Sequence, residues 1–483
     1  MLRARTEVRG LPRLSWRGIR WLLLYAVGLG LAHYLVIAPA FSYLGFERRG
    51  PNLVVALITM TSFTLCARRL PATWERPSAL IYWMLFLLVV APVHVLPVFT
   101  SNIGKPMIMM VASIAAAFWL LGFIYSVNPP VIPRLAIPPK IFWFGFAMVW
   151  IGLLAVVILH YGFRLDFISL SSVYDVRDTF RDSIDRVPRV ARYAITWIGE
   201  VIAPVAIGYA LYYRKYLLVI PAALTQLFLV SITGFKSMLF SSVLVAAIVL
   251  IAKWTGVKKI GQRIAGLVAA SVLLVTAFDY LTGSWQLSSL FVRRMILTAA
   301  VNTNYHFEFF SSFPKAHLGH SILSRWVDYP YSLPPANMIG LAYYKNAWTS
   351  ANANLWADAF ANFGLAGVFG FTAVLAIVLL LIDGAAKRVP IALALSAFVV
   401  PSVSLSNSAM LTTFLTHGFL LAALVVYLMP AESAPAKAGP KPPPEPELAG
   451  DRDGMVSSQP PQPREHSSGE IPIQPATRSE DTQ

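Results

Sequence analysis

The feature that most constrains this chain is an alternation: an apolar run near twenty residues long, then, at every second junction, a short loop carrying arginine or lysine. A helix needs roughly 20 apolar residues to cross the hydrocarbon core of a bilayer. About twelve stretches meet or approach that length, near residues 20–41, 52–67, 78–99, 105–125, 141–160, 192–213, 216–233, 237–252, 262–281, 355–382, 389–406 and 409–429. With 57% hydrophobic and 13% charged residues and a mean hydropathy of +0.63, the chain is excluded from the ordinary soluble class. The expected fold class is an all-α polytopic membrane protein of about twelve transmembrane helices, with the lipid bilayer as its first partner.

A formal net charge of +16 would suit a nucleic-acid binder, but the positions of the charges predict no nucleic-acid partner. With the basic N-terminus, 1–19, placed inside, the inner loops hold Arg68, Arg69 and Arg76, then Arg134 and Lys140, then Arg214 and Lys215. Lys253, Lys258, Lys259 and Arg263 follow, and then Lys387 and Arg388. Every inner loop is basic, so both termini are expected to be cytoplasmic. The long loops at about 161–191 and 283–353 then fall outside, where charge does not decide crossing. Ala38-Pro39-Ala40 resembles a cleavage site, but the apolar run before it is long for a signal peptide. Cys66 reads as a small core residue. The membrane domain, 20–430, gives way to a Pro-, Ser- and Glu-rich segment, 431–483, expected to be a disordered cytoplasmic tail.

The only long polar interruption of the apolar pattern, from about Gly283 to Ala353, concentrates the groups that could carry chemistry. Arg293 and Arg294 are adjacent, so on a helix one faces the interior and the other does not. His306, Glu308, Lys315, His317, His320, Arg325 and Asp328 follow. The histidine spacing matches no metal signature, and no metal or other cofactor is expected. Guanidinium groups offer bidentate donors to phosphate oxygens, while a histidine or carboxylate can take a hydroxyl proton. That combination is what glycosyl transfer from a lipid diphosphate requires. The catalytic candidates are His320, Asp328, Arg294 and Arg325, with Arg293 and His306 as binding candidates. Trp326, Tyr329, Tyr331, Tyr343, Tyr344 and Trp348 could stack on sugar rings or form an interfacial aromatic belt. Beyond the segment, Asn352, Asn354, Asp358 and Asn362 recur at a helical period beside Gly364, Gly367 and Gly370. Such a polar face is expected to line a water-filled cavity, which makes Asn354 and Asp358 binding candidates.

Three further sites stand outside this segment. Ser172 to Asp175 fits a capping box opening a helix in which Asp175, Asp178, Asp182 and Asp185 share a face, with Arg177 and Arg181 on a neighbouring one. Those arginines either pair within the helix or hold an anion. Glu200 falls well inside a span, where a carboxylate is a functional candidate unless a neighbouring arginine pairs with it. Lys236 occupies a tight outer turn and either meets a phosphate or snorkels to lipid headgroups.

In layout, residues 20 to 430 resemble the O-antigen polymerase (Wzy-type) family of bacterial polysaccharide polymerases. The resemblance rests on the span count, the loop with Arg177 and Arg181, the turn Gly234-Phe235-Lys236-Ser237, the RRM…YHFEFF stretch from Arg293, and the ANLWADAFANFGLAGVFG stretch from Ala353. A lysine, Lys236, stands where the family leads one to expect an arginine. The resemblance implies a GT-C-like, metal-independent glycosyltransferase in the bacterial inner membrane. It would pass a growing glycan from an undecaprenyl diphosphate carrier to the next lipid-linked repeat unit at the outer face. Its implied partners are polyprenyl diphosphate-linked oligosaccharides and other assembly proteins, such as a flippase and a chain-length regulator. Arg293 or Arg294 with Arg325 would hold the diphosphate, and Arg177, Arg181, Glu200 and Lys236 would lie along the substrate path. O-antigen ligases share this layout with a different acceptor. Polyprenyl-phosphate-sugar transferases carry paired acids in the first outer loop, where this chain has only Glu47. A flippase or transporter of lipid-linked sugars would call for charges deep in several spans and for matched halves. Here few charges lie deep, chiefly Glu200 and Asp279, and no halves match.

Overall fold

The computed structural model describes residues 11–100, 103–165, 176, 180, 186–235 and 237–431. Arg177, Arg181 and Lys236 lie outside the described residues, as do the capping box and the tail from residue 432. Among the described residues the fold is all-helical, with one isolated bridge between Arg13 and Pro71 in place of any strand. Among the described residues nine helices are long and apolar enough to cross a membrane. They are α1 (Trp16–Leu44), α3 (Pro77–Phe99), α4 (Lys105–Ser126), α5 (Pro139–Tyr161), α6 (Arg189–Tyr212), α7 (Tyr216–Thr233), α9 (Ile260–Thr282), α12 (Leu355–Ala386) and α14 (Met410–Leu428). Three shorter apolar helices, α2 (Leu53–Ala67), α8 (Met238–Trp254) and α13 (Ile391–Ser404), stand where the remaining three spans are expected. The chain is a polytopic membrane protein.

Local signals explain where these helices begin and end. Asn52 caps α2, its Oδ1 accepting from the backbone N–H groups of Val54 and Val55 at 3.1 and 3.2 Å. Proline occupies the first turn of α3, α4 and α5, where its missing donor costs nothing. α5 is apolar on every side, yet only 11% of its spanning window is buried in the protein. A helix of that kind must face hydrocarbon. The short α13 is the reverse: it packs against α3, α6, α8 and α14, and most of its side chains are fully buried.

The basic loops meet at one end. Leu14 N–H donates to Leu70 O at 2.9 Å, Trp74 N–H to Val257 O at 3.1 Å, and the Lys387 ammonium to Pro129 O at 2.7 Å. Arg134 donates to Val426 O, Tyr427 O and Met429 O, Arg76 to Ile124 O and Val127 O, and Lys253 to Leu211 O and Tyr212 O. These carbonyls close α14, α4 and α6, so each cation satisfies acceptors that a helix C-terminus leaves open.

At the other end the segment expected as a loop is largely helical. α10 runs as a π-helix over Ser288–Leu297 and continues as an α-helix over Thr298–Ser312, and α11 covers Pro335–Tyr344. α10 packs against α4 and α12. It escapes an apolar-run reading because polar and aromatic residues alternate along it rather than forming a stripe.

Candidate functional site

The two adjacent arginines diverge, as their spacing requires. Arg293 is buried; its Nε and Nη2 donate to Ser289 Oγ at 3.0 and 2.8 Å, and its guanidinium lies 4.1 Å from the Phe41 ring centre. Arg294 is exposed. The π-helical stretch that carries both is fastened by Asp279, whose Oδ2 accepts from the Ser288 N–H at 2.5 Å.

Two cavities flank α10. One, about 390 Å³, lies between α1, the turn after it, the end of α3, the start of α4 and α10. Its floor is apolar, with Leu96, Met107 and Val301, and its polar residues include Glu47, Glu308 and Tyr305. The second, about 490 Å³, is lined by Tyr43, Asn302, Tyr343, Tyr344 and Lys345 among others. Tyr305 lines the first and Tyr343 the second; the two rings stack at 4.0 Å and 13° and form the wall between the cavities. Gly45 makes room for that wall. Its φ is +86° and an added Cβ would stand 1.9 Å from the Tyr305 hydroxyl oxygen.

The cavities differ in charge. Burial and then the carboxylates of Glu308 and Glu47 raise the Tyr305 hydroxyl above its ordinary value. Burial and then Glu308 do the same to Tyr343. Tyr344 is raised by burial and by Tyr305, but the charge of Arg293 pulls it back. The first cavity thus has two carboxylates, Glu47 and Glu308, in its lining, whereas the second has Lys345.

The other candidates separate into those held inside and those on the surface. His306 is buried; its Nδ1–H donates to Asn302 O at 2.8 Å, and burial pushes the imidazole down to about 4. Asn354 is 1% exposed and caps α12, with Oδ1 accepting from Trp356 N–H and Ala357 N–H and Nδ2 donating to Thr303 Oγ1 at 2.7 Å. Asn362 is fully buried and donates to the Asp358 backbone and carboxylate at 2.9 and 3.2 Å. The face expected to line water is thus largely consumed in holding the start of α12. Arg325 and Asp328 are exposed, His320 is half-buried, and no hydrogen bond or ion pair joins these three to one another. His320 Nδ1 is buried without a partner, and burial lowers the imidazole below its ordinary value, so it is neutral near pH 7. Among the described residues Glu200 pairs with no arginine. His417 Nδ1–H donates to its carboxylate at 2.9 Å and Ser404 Oγ at 3.2 Å, partners more than 200 positions away in sequence.

Lys315 stands in the sequence among the groups of this segment but carries no assigned role there. α12 breaks at Gly364, where φ 63° and ψ −147° are open to glycine alone. The carbonyls freed by the break accept from Ala316 N–H and His317 N–H at 2.9 and 3.2 Å, and Leu318 N–H donates to Asn362 Oδ1. Lys315 beside this junction donates to Phe310 O and lies 3.9 Å from the Phe360 ring centre. Burial pushes its ammonium down to about 8. Its only local signal was a lysine before a histidine in a polar stretch, and its aromatic partner is 45 positions on.

Among the described residues no three His, Cys, Asp or Glu side chains converge as a metal-ligand group. Comparison of the chain with family models, with curated proteins and with solved structures finds no match.

Proposed function

We propose that this membrane protein is a polysaccharide polymerase that transfers a growing glycan from a polyprenyl diphosphate carrier to a hydroxyl of the next lipid-linked unit. The observation that carries the reading is the pair of adjoining cavities beside α10, at the end away from the basic loops, one with Glu47 and Glu308 in its lining and the other with Lys345. By the positive-inside rule the basic end faces the cytoplasm, which leaves the cavities on the outer side of the bacterial inner membrane. In the transfer, the acceptor hydroxyl oxygen forms a bond to the anomeric carbon as the bond from that carbon to the diphosphate oxygen breaks. The electron pair leaves with the diphosphate, and the hydroxyl proton passes to a base. Arg293, Lys345 and the exposed Arg294 and Arg325 supply the positive charge such a leaving group needs. His320, its imidazole held below its ordinary value by burial, and Asp328 in the same loop are the candidate bases.

The test is reconstitution of the full-length protein in vesicles with undecaprenyl diphosphate-linked oligosaccharides, followed by chain-length analysis with and without EDTA. Growth of the glycan in EDTA is expected, with Arg294→Ala and Arg325→Ala each lowering it at least about tenfold at unchanged protein level. Full growth with both arginines replaced would sink their assignment, and oligosaccharides that cross the bilayer without growing would sink the transferase itself.

A further inference from the structure

We propose that Glu200 and His417 form a proton-binding site within the membrane thickness, and that the bound proton sets how firmly α6 is held against α14. Neither residue lines a cavity beside α10, and the inference does not depend on the polymerase reading. Both helices depart from regular geometry at the same place. α6 winds as a π-helix over Ile198–Ile202, the stretch that carries Glu200. α14 is interrupted between Leu415 and Phe419, with Gly418 at φ +71°. The carbonyls freed by that interruption are met from α6: Thr196 Oγ1 donates to Thr416 O at 2.7 Å and Trp197 Nε1 to Leu415 O at 2.9 Å. Gly418 permits the approach, since an added Cβ would stand 2.7 Å from Val201 Cγ2. Two helices thus give up regular turns to bring one histidine against one carboxylate.

His417 Nδ1–H reaches both oxygens of Glu200, at 2.9 and 3.0 Å, and Ser404 Oγ donates to Oε2 at 3.2 Å. With Nδ1 carrying a hydrogen, a further proton adds at Nε2, taken from water and returned to it. From Arg189 to Glu200 α6 rises about 16 Å, roughly half of the hydrocarbon thickness. There the loaded pair, carboxylate and imidazolium, sums to zero charge, whereas the unloaded pair leaves one negative charge in a low dielectric. Among the described residues Glu200 is the one charge acting on His417. His160 and Tyr161 of α5, Arg192 and Tyr193 of α6 and Asp358 of α12 form no hydrogen bond or ion pair with either residue, and Lys253 of α8 donates to Leu211 O and Tyr212 O. His417 keeps 26% and Glu200 13% of its side-chain exposure, so neither is sealed off. Loss of the proton turns a hydrogen bond between two charges into one with a single charge, and weakens the tie between α6 and α14.

The experiment uses the full-length protein in nanodiscs, with Trp197 as reporter because its indole bonds to the interruption two residues before His417. The fluorescence of wild type minus that of Trp197→Phe is followed from about pH 5 to about pH 9. The difference is expected to change in one reversible step, and Glu200→Gln, which keeps the shape and removes the charge, should flatten it. Proton uptake on acidification over the same range, read with an indicator dye in weak buffer, should be about one proton per molecule larger in wild type than in the Glu200→Gln, His417→Gln double variant. A flat Trp197 signal in wild type or a step that survives Glu200→Gln would overturn the proposal. So would equal uptake, the mark of a pair that never exchanges its proton. The wild-type step needs no change at either residue, so it decides the matter even where the double variant does not fold.

Discussion

The two ends of the helical unit hold their cations with different mixtures of the same contacts. At the basic end Arg76, Arg134 and Lys253 donate to carbonyls at helix ends and Lys387 to Pro129 O, with Arg69 lying 3.6 Å from the Trp119 ring centre. At the end that carries α10, Arg293 donates to Ser289 Oγ and lies over the Phe41 ring, Lys315 donates to Phe310 O and lies over the Phe360 ring, and Arg48 lies 5.3 Å from the Tyr34 ring centre. An aromatic face holds a cation without neutralising it. The difference sets carbonyl ties that close helix ends against ring contacts at the α10 end.

The strongest way to break this comparison is at the backbone that shapes the α10 end. Gly364→Ala forces a side chain into glycine-only geometry and should cost about 1–3 kcal/mol, read as a fall in thermal midpoint and folded yield. Gly370→Ala, with nothing within 4 Å of the added Cβ, is the control and should be neutral. A tolerated Gly364→Ala would mean that the break in α12 does not organise the loop docked on it.

The second contrast sets one arginine from each end against the other. Arg134→Ala strips a donor from three carbonyls at the end of α14 and should lower stability by about 1–3 kcal/mol, with transfer per folded molecule unchanged. Arg293→Lys keeps the charge but loses the planar fork, so transfer should fall several-fold at a nearly unchanged midpoint. Measuring midpoint and turnover on both variants decides it; the same pattern in both would erase the distinction.

The smallest effect is a pH dependence. Lys315 is held at about 8 in the folded chain against 10.5 as its ordinary value, so between these pH values the unfolded state binds more protons. Stability from this group therefore rises as pH climbs from 8 to 10.5, and below pH 8 its burial cost is fully present. Solvent screening at this half-buried position limits the gain to about 1 kcal/mol. Melting wild type and Lys315→Met across that window should show the rise in wild type alone.

The positions of the apolar helices were legible because a span must be apolar throughout, and that needs only local sequence. The divergence of Arg293 and Arg294 was legible too, from helix geometry alone. What joins distant segments was not. Nothing near Glu200 announces His417 and Ser404, and Lys315 acquires meaning only when Phe360 and Gly364 fold beside it. Asn354 shows the opposite error: its spacing suggested a wet face, while an Asn immediately before an apolar helix is also an N-cap, and the cap is what the fold uses. Glu47 and Glu308 are 261 positions apart in sequence, so their convergence on Tyr305 was beyond any local pattern.

The shortness of α13 bears on how the helical unit can meet a bilayer. Fourteen helical residues rise only about 21 Å, against roughly 30 Å of hydrocarbon. The start of α12 is tied to the end of α13, Leu355 N–H donating to Leu405 O at 3.2 Å, so the short helix is continued by the backbone of a neighbour rather than by further turns of its own. Glu200, bonded to Ser404 at the end of α13, therefore meets its partner where that helix stops.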